Sequence, residues 1–411
     1  MAILYGTQSN GETLPVEVNE FGQLVARGIE GPTGPPGPPG VGELPPGAFD
    51  GAVLGWENGE LVWFGSPIPP QIEYGFRPVI YSGNGGTQSI TGVGFSPDLV
   101  WCKATNNGSE NHALFDTIRG ATKVLYSNLS NAEATQATTL SSFDADGFSL
   151  GGGDGKVNKS GIDYISWCWD SGDTTVINND GSIESQVRSN GNFSVVKYSE
   201  GASYSTVGHG LASEPKMIIA RPIDNSSAWI VYHYALGKDS IIRLNTSDAA
   251  GTVTDLWGTS EPTSTVFGVG VAQSPNNNSG NVIAYAWAET PNASSFGEYI
   301  GGSIQTINTD FRPSLVIIKS TGEGDWFMFD NARGASEALY ANEKSAEAET
   351  GAVEFLDDGF QLLVALPGVN ESNTTYIYAA FANPQDAAFA QRQLRRQATQ
   401  EERQQNETSL R

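Results

Sequence analysis

The stretch Pro97-Asp98-Leu99-Val100-Trp101 is the best guide to the fold, because the sequence repeats its pattern twice. Pro215-Lys216-Met217-Ile218-Ile219 and Pro313-Ser314-Leu315-Val316-Ile317 follow it at intervals of 118 and 98 residues. Each copy precedes an aromatic strand-like run, and each repeat closes on another such run, at 164–169, 282–287 and 376–381. A period near 100 residues is longer than a solenoid or propeller unit and is typical of a domain of short strands.

The segments of each repeat alternate between apolar and polar residues and are separated by clusters of Gly, Asn, Ser and Asp. This pattern predicts a mainly β protein with three tandem antiparallel β-sandwich repeats. We place block 1 at 73–182, block 2 at 183–293 and block 3 at 294–384. Blocks 1 and 3 share an Asp-x-x-Arg-Gly element, at 116–120 and 330–334, which block 2 lacks.

Composition narrows the function classes. The 411 residues carry 22 basic and 46 acidic side chains, a formal charge of −24, which disfavours nucleic acid and anionic membranes as partners. The amino-terminal residues lack a signal-peptide pattern, and no apolar run reaches membrane-span length, so we expect folding in the cytoplasm. With three His and two Cys, we expect no enzyme activity, no catalytic residues, no metal and no cofactor.

Residues 28–42 form five consecutive triplets that begin with Gly, two of them Gly-Pro-Pro. Strict phasing predicts a collagen-like triple helix, because only Gly fits at its crowded axis. The alternative is a Pro- and Gly-rich linker that happens to be in phase. The residues expected to hold three chains together are Gly28, Gly31, Gly34, Gly37, Gly40, Pro35, Pro36, Pro38 and Pro39.

Shorter segments flank these regions. Residues 1–27 are predicted to form a hairpin or extended arm, while 43–72 contain a hairpin signal at Asn58-Gly59 and a Pro-rich linker. Residues 385–411 are rich in Ala, Gln, Glu and Arg, which predicts a carboxy-terminal helix, with a frayed tail as the alternative. The apolar side chains of the arm that are candidates for anchoring are Val16, Val18, Phe21 and Leu24.

Few patterns suggest chemistry. Asp144-Ala145-Asp146-Gly147 resembles part of a calcium loop, but a β-turn explains the same residues, and Asp357-Asp358-Gly359 repeats the position in block 3. The three His have no neighbouring metal ligands, so we expect surface or partly packed side chains. Cys102 and Cys168 align with apolar residues of the other blocks, which favours buried thiols, although a disulfide stays open.

Aromatic side chains in loops are candidates for stacking on sugar rings. On this basis the candidate glycan-binding residues are Trp56, Tyr204, Trp257 and Tyr340. Since most aromatics in the chain lie on strand patterns, the competing interpretation is that they are core residues.

These motifs together resemble a known family. The arm Leu14–Gly28 leading into collagen triplets, the Val53-Leu54-Gly55-Trp56 element and the repeated block are similar to fibre proteins in virions of tailed phages, especially those of marine cyanobacteria. The resemblance extends over nearly the whole chain and implies a structural protein of a virion appendage: a fibre of the tail, neck or capsid.

On this resemblance we expect a non-enzymatic homotrimer, assembled in the bacterial cytoplasm and located in the virion. Its expected partners are itself, capsid, neck or tail proteins and, in host attachment, surface glycans, with no nucleic acid and no membrane. The resemblance places the arm at the particle; the opposite polarity would use the Arg-bearing carboxy-terminal helix. Two alternatives stay open: an adhesin that recognises host glycans, and a polysaccharide depolymerase.

Overall fold

The computed structural model describes the backbone of five short segments, 3–7, 13–18, 24–25, 53–57 and 60–64, and all atoms of 75–199, 204–270 and 280–383. The collagen-like segment 28–42, the helix predicted at 385–411, Phe21, and the side chains of Val16, Val18, Leu24 and Trp56 lie outside the described residues. The chain divides into two compact units, 1–72 and 73–411.

The described segments of the first unit form two small antiparallel sheets. Strands β1 (Ile3–Thr7), β2 (Thr13–Val18) and β3 (Leu24–Val25) form one of them, in that order. Strands β4 (Val53–Glu57) and β5 (Glu60–Phe64) form the other, with Glu57 opposite Glu60. This hairpin lies where Asn58-Gly59 predicts it, because a two-residue Asn-Gly connection matches the twist of paired strands.

Block 1 consists of a four-stranded sheet, in the order β6-β14-β8-β9, and a three-stranded sheet, β12-β13-β7. The expectation of a mainly β protein with antiparallel sheets is confirmed, and the described residues contain no helix. The strands are β6 (Phe76–Ser82), β7 (Gln88–Thr91), β8 (Leu99–Ala104), β9 (Ala113–Asp116), β10 (Lys123–Val124), β11 (Ala134–Thr135), β12 (Leu140–Asp144), β13 (Gly147–Leu150) and β14 (Asp163–Trp169).

Block 2 has an eight-stranded sheet, β15-β16-β17-β24-β19-β20-β21-β22, and a two-stranded sheet, β18-β23. Strand β15 falls within the range assigned to block 1, yet it pairs with β16 and so belongs to the sheet of block 2. The strands are β15 (Thr175–Asn178), β16 (Ser185–Ser189), β17 (Phe193–Ser199), β18 (Ser205–Gly208), β19 (Pro215–Pro222), β20 (Ile230–His233), β21 (Ser240–Arg243), β22 (Gly251–Thr252), β23 (Val266–Val269) and β24 (Asn281–Ala288).

Block 3 has a six-stranded sheet, β25-β33-β27-β28-β29-β30, and a three-stranded sheet, β26-β32-β31. Its larger sheet contains the same four-strand arrangement as β6-β14-β8-β9 and β17-β24-β19-β20. The strands are β25 (Ser294–Ile300), β26 (Gln305–Asn308), β27 (Leu315–Ser320), β28 (Trp326–Asp330), β29 (Gly334–Tyr340), β30 (Ala348–Glu349), β31 (Val353–Leu356), β32 (Gly359–Leu362) and β33 (Thr375–Phe381).

Each larger sheet is buried on both faces. On β8, Val100 and Cys102 pack against the smaller sheet of block 1, whereas Leu99 and Trp101 point into a core that all three blocks share. The equivalent strands β19 and β27 divide their side chains in the same way. Burial on both faces explains why the repeated stretch is continuously apolar, as central strands buried on two sides usually are.

The shared core has threefold pseudosymmetry. At equivalent positions, on the last strand of each block, Trp169, Trp287 and Phe381 form a nearly equilateral triangle of rings. The distances between ring centroids are 5.8, 5.6 and 5.9 Å. The three repeats therefore pack around one axis, like the subunits of a cyclic trimer joined in a single chain.

Candidate functional site

A ring of equivalent hydrogen bonds joins the three blocks. In each block a ring N–H at the start of the aromatic strand donates to a backbone carbonyl of the preceding block, with block 3 preceding block 1. The bonds join Trp229 Nε1 to Tyr126 O at 2.7 Å, Trp326 Nε1 to Arg243 O at 2.9 Å, and His112 Nε2 to Tyr340 O at 2.9 Å. These positions match in all three blocks, so the junctions form a closed cycle.

A second set of equivalent bonds runs from backbone to backbone. In each block an N–H in the segment after the aromatic strand donates to the carbonyl of a residue just beyond the repeated strand of its neighbour. The bonds join Glu133 N to Ile223 O at 2.8 Å, Ala250 N to Thr321 O at 2.9 Å, and Glu347 N to Thr105 O at 2.8 Å. Such bonds satisfy buried polar groups along all three junctions.

The Asp-x-x-Arg-Gly element of blocks 1 and 3 also acts at these junctions. Asp116 and Arg119 form a fully buried ion pair, and Tyr285 of block 2 donates its hydroxyl to Asp116 Oδ2 at 2.8 Å. Although burial lowers the pKa of Arg119, the charge of Asp116 raises it above its ordinary value. In block 3, Asp330 is paired with its own arginine and accepts from Trp167 Nε1 of block 1 at 3.2 Å.

Block 2 uses a different residue for the same contact. His233 lies opposite Met217, as Asp116 lies opposite Leu99, so the two positions are equivalent. The ring of His233 donates from Nε2 to the carbonyl of Tyr378 in block 3, at 3.1 Å. The middle block has therefore lost the acid–arginine pair but has kept a junction hydrogen bond.

All three histidines are buried, which corrects the expectation of surface or partly packed side chains. Each ring is hydrogen-bonded at both nitrogens. Nε2 faces a backbone carbonyl in all three rings. Nδ1 accepts a hydrogen bond from Trp101 Nε1 in His112, from Leu211 N in His209 and from Ala235 N in His233. This pattern requires the neutral ring with the proton on Nε2. Burial lowers the pKa of His112 well below its ordinary value, lowers that of His209, and lowers that of His233 to about 4.

Sequence reasoning missed a set of three buried cations. Lys103, Arg221 and Lys319 occupy equivalent positions at the end of the repeated strand, and all are fully buried. Their side chains donate to backbone carbonyls; the Arg221 guanidinium reaches three of them in the loop of residues 129–131 of block 1, at 2.5 to 3.1 Å. Burial lowers the pKa of both lysines to about 8 and that of Arg221 to about 10. The signal available in the sequence was a basic residue at one position of all three repeats.

Cys102 and Cys168 are free and buried, so the interpretation as small apolar residues is confirmed and no disulfide joins them. Burial raises the pKa of the Cys102 thiol to about 11, although hydrogen bonding from Tyr81 lowers it in part. Both thiols are therefore protonated at neutral pH and are poor nucleophiles.

The acidic Asp144–Gly147 segment forms the tight turn that was expected. Asp146 accepts hydrogen bonds from Gly92 N at 3.0 Å and Gly94 N at 2.6 Å, and these bonds lower the pKa of its carboxyl group. A Cβ on Gly147 would lie 2.0 Å from the carbonyl oxygen of Ile90, and its φ is +143°, so the position requires glycine.

The glycan-binding candidates separate by burial. The structure corrects the prediction that Trp257 is available for glycan binding, because its side chain is fully buried in the core of block 2, between Tyr232 and Phe267. Tyr340 is half-buried, with its ring 4.9 Å from that of Phe327. Tyr204 is 50% exposed, and its ring is available to a ligand.

A shallow pocket, with a cavity volume of about 30 Å³ and partly open to solvent, lies at one end of the threefold axis. Its floor contains the triangle of Trp169, Trp287 and Phe381, and its wall includes the polar residues Asp170 and Asn192. All three blocks contribute to the lining. Burial and the nearby Asp98 raise the pKa of Asp170 to about 6, although a hydrogen bond from Gly172 N lowers it in part. An apolar pocket with a few polar groups is the usual form of a binding site.

The described part of the chain lacks two further features. No group of three or more His, Cys, Asp or Glu residues there is arranged to hold a metal ion. Within the same residues, no helix has the length and apolar character needed to cross a membrane.

The family described as Domain of unknown function (DUF7483) matches residues 73–384, a range that includes all three blocks. The chain therefore belongs to this family. No curated protein and no solved structure is significantly similar to the chain.

Proposed function

We propose that this protein is a structural component of a phage virion appendage, a homotrimeric fibre of the tail, neck or capsid that displays β-sandwich blocks. The observation that carries the proposal is the phased run of five Gly triplets at 28–42, upstream of the three β-rich blocks at 73–384, which together we call the head of the protein. A triple helix there would join three chains, because each in-phase Gly lies at its crowded axis.

The packing of the head is compatible with this assignment, because its three blocks form their shared core within one chain. Its three blocks already satisfy one another around a single axis, with the ring triangle and two sets of junction bonds buried inside one chain. The threefold core is complete without a second copy, so a trimer of chains, as proposed here, would be held by another part of the chain. The Gly triplets provide such an element.

Light scattering on the purified chain tests the trimer. We expect a mass about three times the 43.6 kDa of one chain, and a monomer after deletion of residues 28–42. Gly34→Ala should weaken the trimer, whereas Pro35→Ala, at an outward triplet position, is the matched control and should have a smaller effect. A full-length chain that stays monomeric would refute the trimer.

Particle incorporation tests the appendage role and its polarity. We expect a chain lacking residues 1–27 to fail to join virions, and a chain lacking 385–411 to join them. Loss of incorporation only with the second deletion would reverse the polarity. Incorporation of neither form, with absence of the full chain from purified virions, would refute the virion assignment.

The exposed ring of Tyr204 favours a second candidate function, an adhesin that binds host surface glycans. An aromatic face in solvent can stack on a sugar ring. Binding of the full chain on a glycan array, lost in Tyr204→Ala and kept in Tyr204→Phe, would support this role. Absence of binding by the full chain would remove it.

A further inference from the structure

We propose that the pocket on the threefold axis binds the start of this chain's own carboxy-terminal segment, with the ring of Phe389 on the aromatic floor. The inference is independent of the proposed function, since it concerns how the head is completed. Four observations carry it: the chemistry of the pocket, two donors without partners, the point where the segment begins, and the composition of the segment.

The pocket is suited to an aromatic side chain. Trp169, Trp287 and Phe381 form its floor and Phe193 part of its wall, with ring centroids of Phe193 and Trp287 5.0 Å apart. Aromatic rings pack favourably on other rings at such distances, in stacked or edge-to-face arrangements. Its cavity of about 30 Å³ holds no more than about two water molecules and is partly open to solvent, so an aromatic ring would lie over the floor rather than inside an enclosed cavity.

The floor also contains two hydrogen-bond donors that the described residues leave unused. The indole Nε1–H groups of Trp169 and Trp287 are buried, and neither has an acceptor among those residues. Buried indole N–H groups normally find partners, because an unpaired donor out of water is costly. The peptide carbonyls of a segment laid over the floor would supply the missing acceptors.

The segment begins at the pocket. Ala382 lines it, and the chain continues beyond Asn383 for another 28 residues, 384–411. Phe389 is six residues beyond Asn383, a distance of up to about 20 Å in extended chain, so its ring can return to the floor. Tethering at the rim gives the segment a high effective concentration, in the millimolar range for a short flexible link.

The composition of the segment matches the pocket and its rim. Phe389 is the only aromatic residue of 384–411 and is preceded by Ala387 and Ala388. Three arginines follow Phe389 within seven residues: Arg392, Arg395 and Arg396. The rim of the pocket carries the carboxylate of Asp170, so positive side chains beyond the aromatic residue meet a negative one.

Disulfide trapping in the full chain tests the contact. Asn192→Cys, on the wall of the pocket, is combined with Ala388→Cys, which leaves the Phe389 ring in place; both native thiols are buried and are not expected to compete. One control adds Phe389→Ala to the same pair, so that the tether length is unchanged, and another pairs Ala388→Cys with Ser149→Cys on a distant strand. We expect an intrachain disulfide to form at least about tenfold faster in the test pair than in either control, because a bound segment has a high local concentration.

A second measurement leaves the head unaltered. With 5-fluorotryptophan incorporated, Phe389→Ala should shift the ¹⁹F resonance of Trp287, assigned through Trp287→Phe, while Leu410→Ala should leave it in place. Equal trapping rates in all pairs, or a resonance that Phe389→Ala does not move, would overturn the proposal. A disulfide that links two chains would assign the pocket to the segment of a second copy and would also overturn it.

Discussion

The buried histidines make the stability of the head depend on pH in a defined direction. His112, His209 and His233 are neutral in the folded protein and have lowered pKa values, whereas in the unfolded chain each titrates near 6.5. Below pH 6.5 the unfolded state therefore binds more protons, and the free energy of unfolding falls as the pH falls. Their stabilising contribution is complete above pH 6.5 and is lost towards the folded pKa.

The size of the effect follows from the shifts. Each pKa unit corresponds to about 1.4 kcal/mol, so His233, with a folded pKa of about 4, accounts for a loss of about 3 kcal/mol between pH 6.5 and pH 4. Asp170 acts in the opposite direction, because its raised pKa of about 6 lets the folded state take up a proton first. It offsets about 3 kcal/mol over a similar range, so the net sign depends on the two other histidines and on Asp146, Glu214 and Asp239, whose lowered pKa values also remove stability as the pH falls.

Urea unfolding between pH 7.5 and pH 4.5 provides the assay, with His233→Gln as the test variant. The glutamine amide can donate to the carbonyl of Tyr378 and does not titrate. We expect the variant to lose about 1 kcal/mol at pH 7.5 and to have a pH slope that is smaller by up to about 1.4 kcal/mol per unit. An unchanged slope would refute the reasoning that His233 is neutral and buried in the fold.

Three further predictions concern stability. The pKa of about 8 at Lys103 should add a rise of about 1.5 kcal/mol to the free energy of unfolding from pH 8 to pH 9.5, because the unfolded lysine keeps its proton; Lys319 adds a similar rise and the Cys102 thiol opposes it, so Lys103→Met should reduce the wild-type change in urea titrations by about 1.5 kcal/mol. Gly147→Ala should cost about 2 kcal/mol or more, since the new Cβ meets a carbonyl, whereas the control Gly302→Ala meets nothing within 4 Å and should stay within about 0.5 kcal/mol. Tyr285→Phe should cost about 1.5–3 kcal/mol, by leaving the buried Asp116 carboxylate without one donor; an unchanged urea midpoint would contradict this.

The repeat and its strands could be predicted because they have a direct signature in the sequence. Apolar runs such as Leu99–Ala104 and turn residues such as Asn58-Gly59 specify local structure through burial and backbone geometry. The free thiols of Cys102 and Cys168 could be predicted by the same route, since apolar residues replace them at equivalent positions.

The closure of the three blocks around one axis has no comparable signature. The acceptors of the first junction set are backbone carbonyls, of Tyr126, Arg243 and Tyr340, and every residue type has one. The donor changes from an indole in blocks 2 and 3 to the imidazole of His112 in block 1. The sequence therefore does not reveal these junction contacts, because any residue can supply the acceptor and the type of donor residue differs between blocks.

The sequence places Trp257 in a loop for a related reason. It precedes Gly258 in a segment with turn-like composition, which is typical of a surface loop. Gly258 has a φ of +90°, and a Cβ there would lie 2.7 Å from the Cα of Gly268, so the segment turns back tightly against β23. This close approach, made by two glycines distant in sequence, carries the indole into the core of block 2.

The covalent link between the blocks has a consequence for assembly. Three separate subunits would have to meet at cellular concentration to form the shared core, whereas tethered blocks meet at an effective concentration set by short links. The core around Trp169, Trp287 and Phe381 can therefore form within one chain before any contact with a second. Under the proposed function, each chain then brings a completed threefold head to the trimer, and association through residues 28–42 need bury no part of that core. We therefore expect the head to keep its urea midpoint when the chain is made monomeric by deleting 28–42, and a head that unfolds with loss of the trimer would contradict this order of assembly.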